Sequence, residues 1–76
     1  MDTKKAISYR LRMLRKMEGL TQEDIALILN INRSTYSYWE SGKTKPSINK
    51  LIQISKLYNV TIDYIVGNKN SSVVKH

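Results

Sequence analysis

Apolar residues recur along this chain at intervals of three and four rather than two, in short runs interrupted by Gly or Asn. That spacing puts side chains on one face of a helix and predicts an all-α protein. The first run extends from Thr3 or Lys4 to Met17, with Ile7, Leu11 and Leu14 as its stripe, Ala6 and Met17 at its margins, and Gly19 as its stop. A second begins at Thr21, whose hydroxyl can accept from the Asp24 backbone N–H while the Asp24 side chain reciprocates, a capping box. Gln22, Glu23 and Asp24 form a polar first turn that suits the positive end of a helix dipole. Ile25, Ala26 and Leu29 then define a face to bury, and Asn30 stands where a left-handed residue can end the helix. Ile31 turns inward, and Asn32 caps a third helix from about Arg33 to Ser41, closed by Gly42. Pro46 and Ser47 open a fourth, with Ile48, Leu51, Ile52, Ile54 and Tyr58 as its buried side and Asn59 as its stop. Thr61 caps a last short helix, IDYIV, before Gly67. Residues 1–67 thus read as one domain, and residues 68–76, NKNSSVVKH, as a flexible polar tail without periodicity.

The break between the second and third helices is too short for anything but a tight turn, which makes the pair a helix-turn-helix. Within the third helix, Thr35, Tyr36 and Trp39 fall on one side and Arg33, Ser34, Ser37 and Tyr38 on the other. The first set is a core stripe. The second is exposed and rich in hydrogen-bond donors, as a helix lying in the major groove of duplex DNA requires for reaching base edges.

The runs LTQEDIA, NRSTYSYWESGKTKP and SINKLIQISKLYNVTIDYIV together resemble the Cro and phage-repressor (XRE-type) helix-turn-helix family, over roughly Leu11 to Val66. The resemblance implies a compact five-helix, lambda-repressor-like domain whose second and third helices form the DNA-reading unit. It gives Gln22, at the start of the second helix, a phosphate contact, and pairs Arg15 with Glu40 at the end of the reading helix. Lys43, Thr44 and Lys45 then match a basic loop that tracks the phosphate backbone, and Asn32 joins the phosphate contacts from the other end of the reading helix. The implied activity is that of a sequence-specific transcriptional regulator, most often a repressor, binding a palindromic operator as a homodimer. Two alternatives stand beside it. One is a controller protein of a restriction-modification system; the other is an antitoxin-like or developmental protein that works mainly by binding a protein partner, for which Leu27 and Ile28 are the available surface.

Charge agrees with a polyanionic partner: 13 Lys and Arg against 6 Asp and Glu give a net charge of +7. The first helix holds many of these cations, and Arg10 and Arg12 read equally well as solvated or as phosphate contacts. The chain has 76 residues, no cysteine and no metal-ligand cluster, so neither disulfides nor a metal staples it. No cofactor is implied. The single His76 lies in the tail, and no nucleophile, base or carboxylate pair suggests an enzyme. No membrane span or signal-like start is evident, which predicts a cytoplasmic protein. A domain this small buries only about 60% of its unfolded surface. The last helix carries more apolar residues than one side of it can bury, and Ile62, Tyr64 and Val66, with Leu57, are the expected dimer interface.

Overall fold

The computed structural model describes residues 2–67; the tail at 68–76, with His76, lies outside the described residues. Five helices make up this part of the chain: α1 (Thr3–Met17), α2 (Gln22–Leu29), α3 (Arg33–Ser41), α4 (Ile48–Tyr58) and α5 (Ile62–Val66). Four of them start on a side-chain cap, in which oxygens of Asp2, Thr21, Ser47 and Thr61 accept from the Lys4, Asp24, Lys50 and Tyr64 backbone N–H groups respectively. Each cap satisfies a donor that the first turn leaves unpaired. The Thr21 box is complete, since the Thr21 N–H also donates to the Asp24 carboxylate at 2.9 Å. That backbone bond holds the Asp24 carboxyl below the usual carboxylate range. Helix α3 differs, because Asn32 occupies the cap position without making a side-chain cap bond. The stops at Asn30 and Asn59 are left-handed, with φ of 57° and 56°.

α1 lies against α3 and α5, α2 against α3, and α4 against α5 and α2. Ile7, Leu11 and Leu14 of α1 meet Ile25 and Leu29 of α2, Tyr36 and Trp39 of α3, Leu51 and Ile54 of α4, and Val60 and Ile65 in one core. Tyr36 and Trp39 pack edge to face, with centroids 5.9 Å apart. The end of α5 is pressed onto α1 so closely that a Cβ at Gly67 would sit 2.5 Å from the Ala6 Cβ, and φ there is +84°. Only glycine fits both constraints.

Three expectations from the apolar pattern change. Met17 is 73% exposed, because it is the last residue of α1 and nothing packs beyond it. Ile48 and Ile52 are exposed too, at 62% and 39%. Leu51, Ile54 and Tyr58 fill the core-facing stripe of α4, and Ile48 and Ile52 project past its edge at about 100° per residue. Tyr64, expected at an exposed dimer surface, is buried at 6%, because its ring lies against α1 beneath Arg10. Ile62 and Val66 are half-buried and Leu57 is 39% exposed.

Candidate nucleic-acid interface

Glu40, at the end of α3, is 4% exposed yet charged, and side chains of α1, α2 and α3 converge on it. Arg15 of α1 grips its carboxylate with two bonds, Nε to Oε2 at 2.6 Å and Nη2 to Oε1 at 3.0 Å. Gln22 Nε2 donates to Oε1 at 3.1 Å, and the Tyr36 hydroxyl to Oε2 at 2.5 Å. The Glu40 backbone carbonyl accepts from Arg12 Nη2 at 2.9 Å and from the Ser8 hydroxyl. Arg15 also donates Nη1 to the Leu20 carbonyl at 2.8 Å, so its fork is shared between α3 and the loop before α2. A buried carboxylate with this many donors is a fixed point to which α1, α2 and α3 are all tied.

The electrostatics follow from these contacts. Burial pushes the Glu40 carboxyl up, but the Arg15 hydrogen bond, followed by those of Tyr36 and Gln22, outweighs it and holds the group below the usual range. The bond to Glu40 raises Arg15 against its own burial. Burial, and then the bond to Glu40, raises the Tyr36 phenol far above the ordinary tyrosine value.

With α3 held from behind, its other side faces out. Arg33, Ser34 and Tyr38 are exposed and Ser37 is half-buried, while Thr35, half-buried, and Tyr36 and Trp39, buried, face inward. Gly42, at φ +82°, ends the helix and leads into an exposed loop of Lys43, Thr44 and Lys45 before buried Pro46. Asn32, exposed, marks the opposite end of α3. Several residues considered above as phosphate contacts have internal partners. Gln22 and Arg12 bond Glu40, and Lys43 Nζ stands 4.8 Å from the centroid of the Tyr38 ring. Arg10 is directed elsewhere: its guanidinium lies 4.3 Å from the Tyr64 centroid, toward α5, whereas Arg12, two residues on, points to the end of α3. Two residues turn a helix by about 200°, so the two arginines serve opposite sides of α1.

Sequence reasoning missed Ser8 and the Gln22 bond to Glu40. The signal for the first was present, since Ser8, Arg12 and Arg15 follow the i, i+4, i+7 spacing and form a polar stripe beside the apolar Ile7, Leu11, Leu14 stripe. It also missed Lys50, whose ammonium donates to the Leu29 carbonyl at 2.6 Å and so joins α4 to the end of α2.

Among the described residues, no group of His, Cys, Asp and Glu could hold a metal ion. No helix there is long and apolar enough to cross a membrane.

The helix-turn-helix family model matches residues 11–65. An uncharacterized HTH-type transcriptional regulator of Bacillus subtilis, YobD, is 43% identical over 58 residues, covering 76% of this chain and 52% of the relative. The HTH-type transcriptional activator BcrR of Enterococcus faecalis is 42% identical over 60 residues, covering 79% of this chain and 29% of its own length. A crystal structure of a transcriptional regulator from Listeria innocua superposes with a TM-score of 0.77 at 39% identity, covering 80% of this chain and 57% of that one. The chain thus spans between about a third and three fifths of the length of these relatives.

Proposed function

The chain belongs to the XRE-type helix-turn-helix family of DNA-binding transcriptional regulators, which are not enzymes, and from that premise we propose that it reads a specific duplex site through α3 in the major groove. One observation carries the reading: the outward face of α3 is free while its inward end is locked to α1 and α2 through Glu40. A reading helix needs both, because a base contact counts only if the side chain arrives at a fixed angle. Arg33, Ser34, Ser37 and Tyr38 are the proposed base contacts. Gln22, Asn32, Arg12, Thr44 and Lys45 are the proposed phosphate contacts, and Arg10 is set aside because it serves α5. The protein is proposed to act in the cytoplasm, most simply as a repressor that occludes a promoter, although one relative is named an activator.

A single reading helix covers few base pairs, so we propose a two-fold dimer on a near-palindromic operator, with reading helices about 34 Å apart. Ile62 and Val66 remain in the proposed interface. Tyr64 leaves it, being buried, and the exposed Ile48 and Ile52 enter. They lie on the same side of α4 as Ser55, whose hydroxyl bonds the Val60 carbonyl at 2.5 Å and so marks the flank on which α5 begins. Leu57 is about 140° around the helix from Ile52. The alternative reading, a protein partner, has support in Leu27 and Ile28, which are 83% and 52% exposed side by side on α2.

The test compares two variants in DNA-binding titrations. Arg33→Ala should relax preference at one operator position by about 1–3 kcal/mol, the value of a bidentate Arg–guanine pair. Lys45→Ala should weaken all sequences alike and lower the salt slope by about one. If both lose affinity uniformly, Arg33 is only another phosphate contact.

A further inference from the structure

Three hydrogen bonds converge on the Tyr38 carbonyl near the end of α3. It accepts from Ser41 Oγ at 3.0 Å, from the Lys43 N–H at 3.0 Å and from the Thr44 N–H at 3.4 Å. With Gly42 left-handed, this folds the start of the basic loop back over the last turn of the helix. The consequence is the placement of Lys43 Nζ 4.8 Å from the Tyr38 ring centroid, within the roughly 6 Å at which a cation and an aromatic face attract. Lys43 and Tyr38 therefore constrain each other, and Tyr38, a residue 44% exposed, has one face of its ring taken.

We propose that Tyr38 and Lys43 form one reading unit for thymine, in which Lys43 is a positioning residue and Tyr38 lays its ring against the thymine C5-methyl. This rests on the DNA-reading function proposed above. The chemistry follows from what the major groove displays. Each base pair there offers donors and acceptors, and the only apolar group is the thymine methyl. Arg33, Ser34 and Ser37 offer polar heads. Tyr38 alone on the outward face offers a large apolar surface, and it is the side chain that a neighbour holds by its ring. Lys43 is thereby set apart from Lys45, which shares the loop: its charge acts first on the ring and through it on the base.

The experiment uses the full chain to select sites from a randomised duplex library, then replaces each thymine of the selected site singly with deoxyuridine, which removes only the methyl. Wild-type protein should bind about fourfold more weakly when one particular thymine of each half-site is changed, the effect of one buried carbon group. The penalty should vanish in Tyr38→Ala, persist in Tyr38→Phe, and shrink in Lys43→Met. Lys43→Met should add nothing to it in the Tyr38→Ala background. Circular dichroism melts establish that each variant is folded. A Lys43→Met variant that loses affinity equally for thymine and uracil sites, with the salt slope lowered by about one, would make Lys43 a plain phosphate contact and overturn the proposal. A penalty that survives in Tyr38→Ala, or disappears in Tyr38→Phe, overturns it as well. Selection of a defined site that lacks any Tyr38-dependent thymine sinks this inference alone, whereas selection of no site at all sinks the sequence-reading function from which it starts.

Discussion

The two sides of this small domain are held by different forces. Around Glu40, α1, α2 and α3 meet through charged and polar groups, with four bonds to one carboxylate and two more to the carbonyl of the same residue. Around α4 and α5, the contacts are mostly apolar: Leu51, Ile54, Val60 and Ile65 enter the core, while Ile48, Ile52 and Leu57 remain exposed. Apolar burial is non-directional, whereas a bidentate ion pair with added hydrogen bonds fixes an angle. The helix proposed to read DNA, α3, is therefore anchored where direction matters. The exposed apolar residues of α4 suit it to meeting another protein surface, where area matters more than angle, and the Leu27–Ile28 pair of α2 is a comparable surface on the polar side.

The largest effects should come from breaking the polar side. Arg15 and Glu40 are 13% and 5% exposed at the side chain, so Glu40→Gln leaves the Arg15 charge buried without its counter-ion and should cost about 3–5 kcal/mol. Tyr36→Phe removes one bond to the same carboxylate and should cost about 1.5–3 kcal/mol. Acid titration adds a signature. Glu40 titrates below its ordinary value of 4.5 when folded, so the stability it contributes is present above about pH 4.5 and is lost as pH falls through the depressed value. Thermal melts from pH 7 to pH 2 should show that step in the wild type and not in Glu40→Gln. An unchanged midpoint for Glu40→Gln at pH 7 would mean the pair behaves as an exposed one, worth about 0–1 kcal/mol, and the contrast between the two sides would collapse.

On the apolar side, the expected effects are smaller and appear in association rather than folding. Ile48→Asp and Ile52→Asp change exposed positions, where substitutions shift monomer stability by only about 0.5 kcal/mol. If that flank forms the dimer, sedimentation equilibrium should show dimer dissociation at least tenfold easier in each, a difference of about 1.4 kcal/mol. Leu57→Asp, on the opposite flank of α4, serves as the comparison. A dimer lost in Leu57→Asp and kept in Ile52→Asp would move the interface to the other flank.

How much of this was legible in the sequence differs between the same two sides. Helix limits were readable because caps and stops are local chemistry: Thr21, Asn30, Gly42 and Asn59 act on backbone within a few residues of themselves. The outward set Arg33, Ser34 and Tyr38 followed from one turn of helical arithmetic. Pattern failed at α4, where apolar residues at 48, 51, 52, 54 and 57 exceed one stripe and periodicity cannot say which of them the neighbours cover. It failed again at Tyr64, whose burial depends on Arg10, 54 positions away in sequence. The Glu40 cluster was half-legible. Its Arg15 partner came from resemblance; Tyr36 stands one turn from Glu40 on the same helix, while Ser8 and Gln22 are brought to it by the packing of α1 and α2 against α3.

Tyr58 sits at the border of the two regions and gives the finest test of where one ends. It belongs to α4, yet the charges that bear on its hydroxyl are Arg15, Glu40 and Glu18, from the polar side. Burial pushes the phenol up to about 12, and among the described residues its oxygen has no hydrogen-bond partner. A buried hydroxyl without a partner contributes its desolvation cost and nothing in return, so Tyr58→Phe should be neutral or stabilising by up to about 1 kcal/mol. The folded state holds this proton more tightly than the unfolded chain does. Ionisation therefore costs the folded state nothing below pH 10 and destabilises it as pH rises toward 12, and Tyr58→Phe should flatten part of that alkaline decline, the rest belonging to Tyr36. Denaturant melts at pH 7 and pH 11 measure both effects. A loss of more than about 1 kcal/mol at pH 7 would show that the hydroxyl is bonded after all, and that the polar anchoring around Glu40 extends into α4.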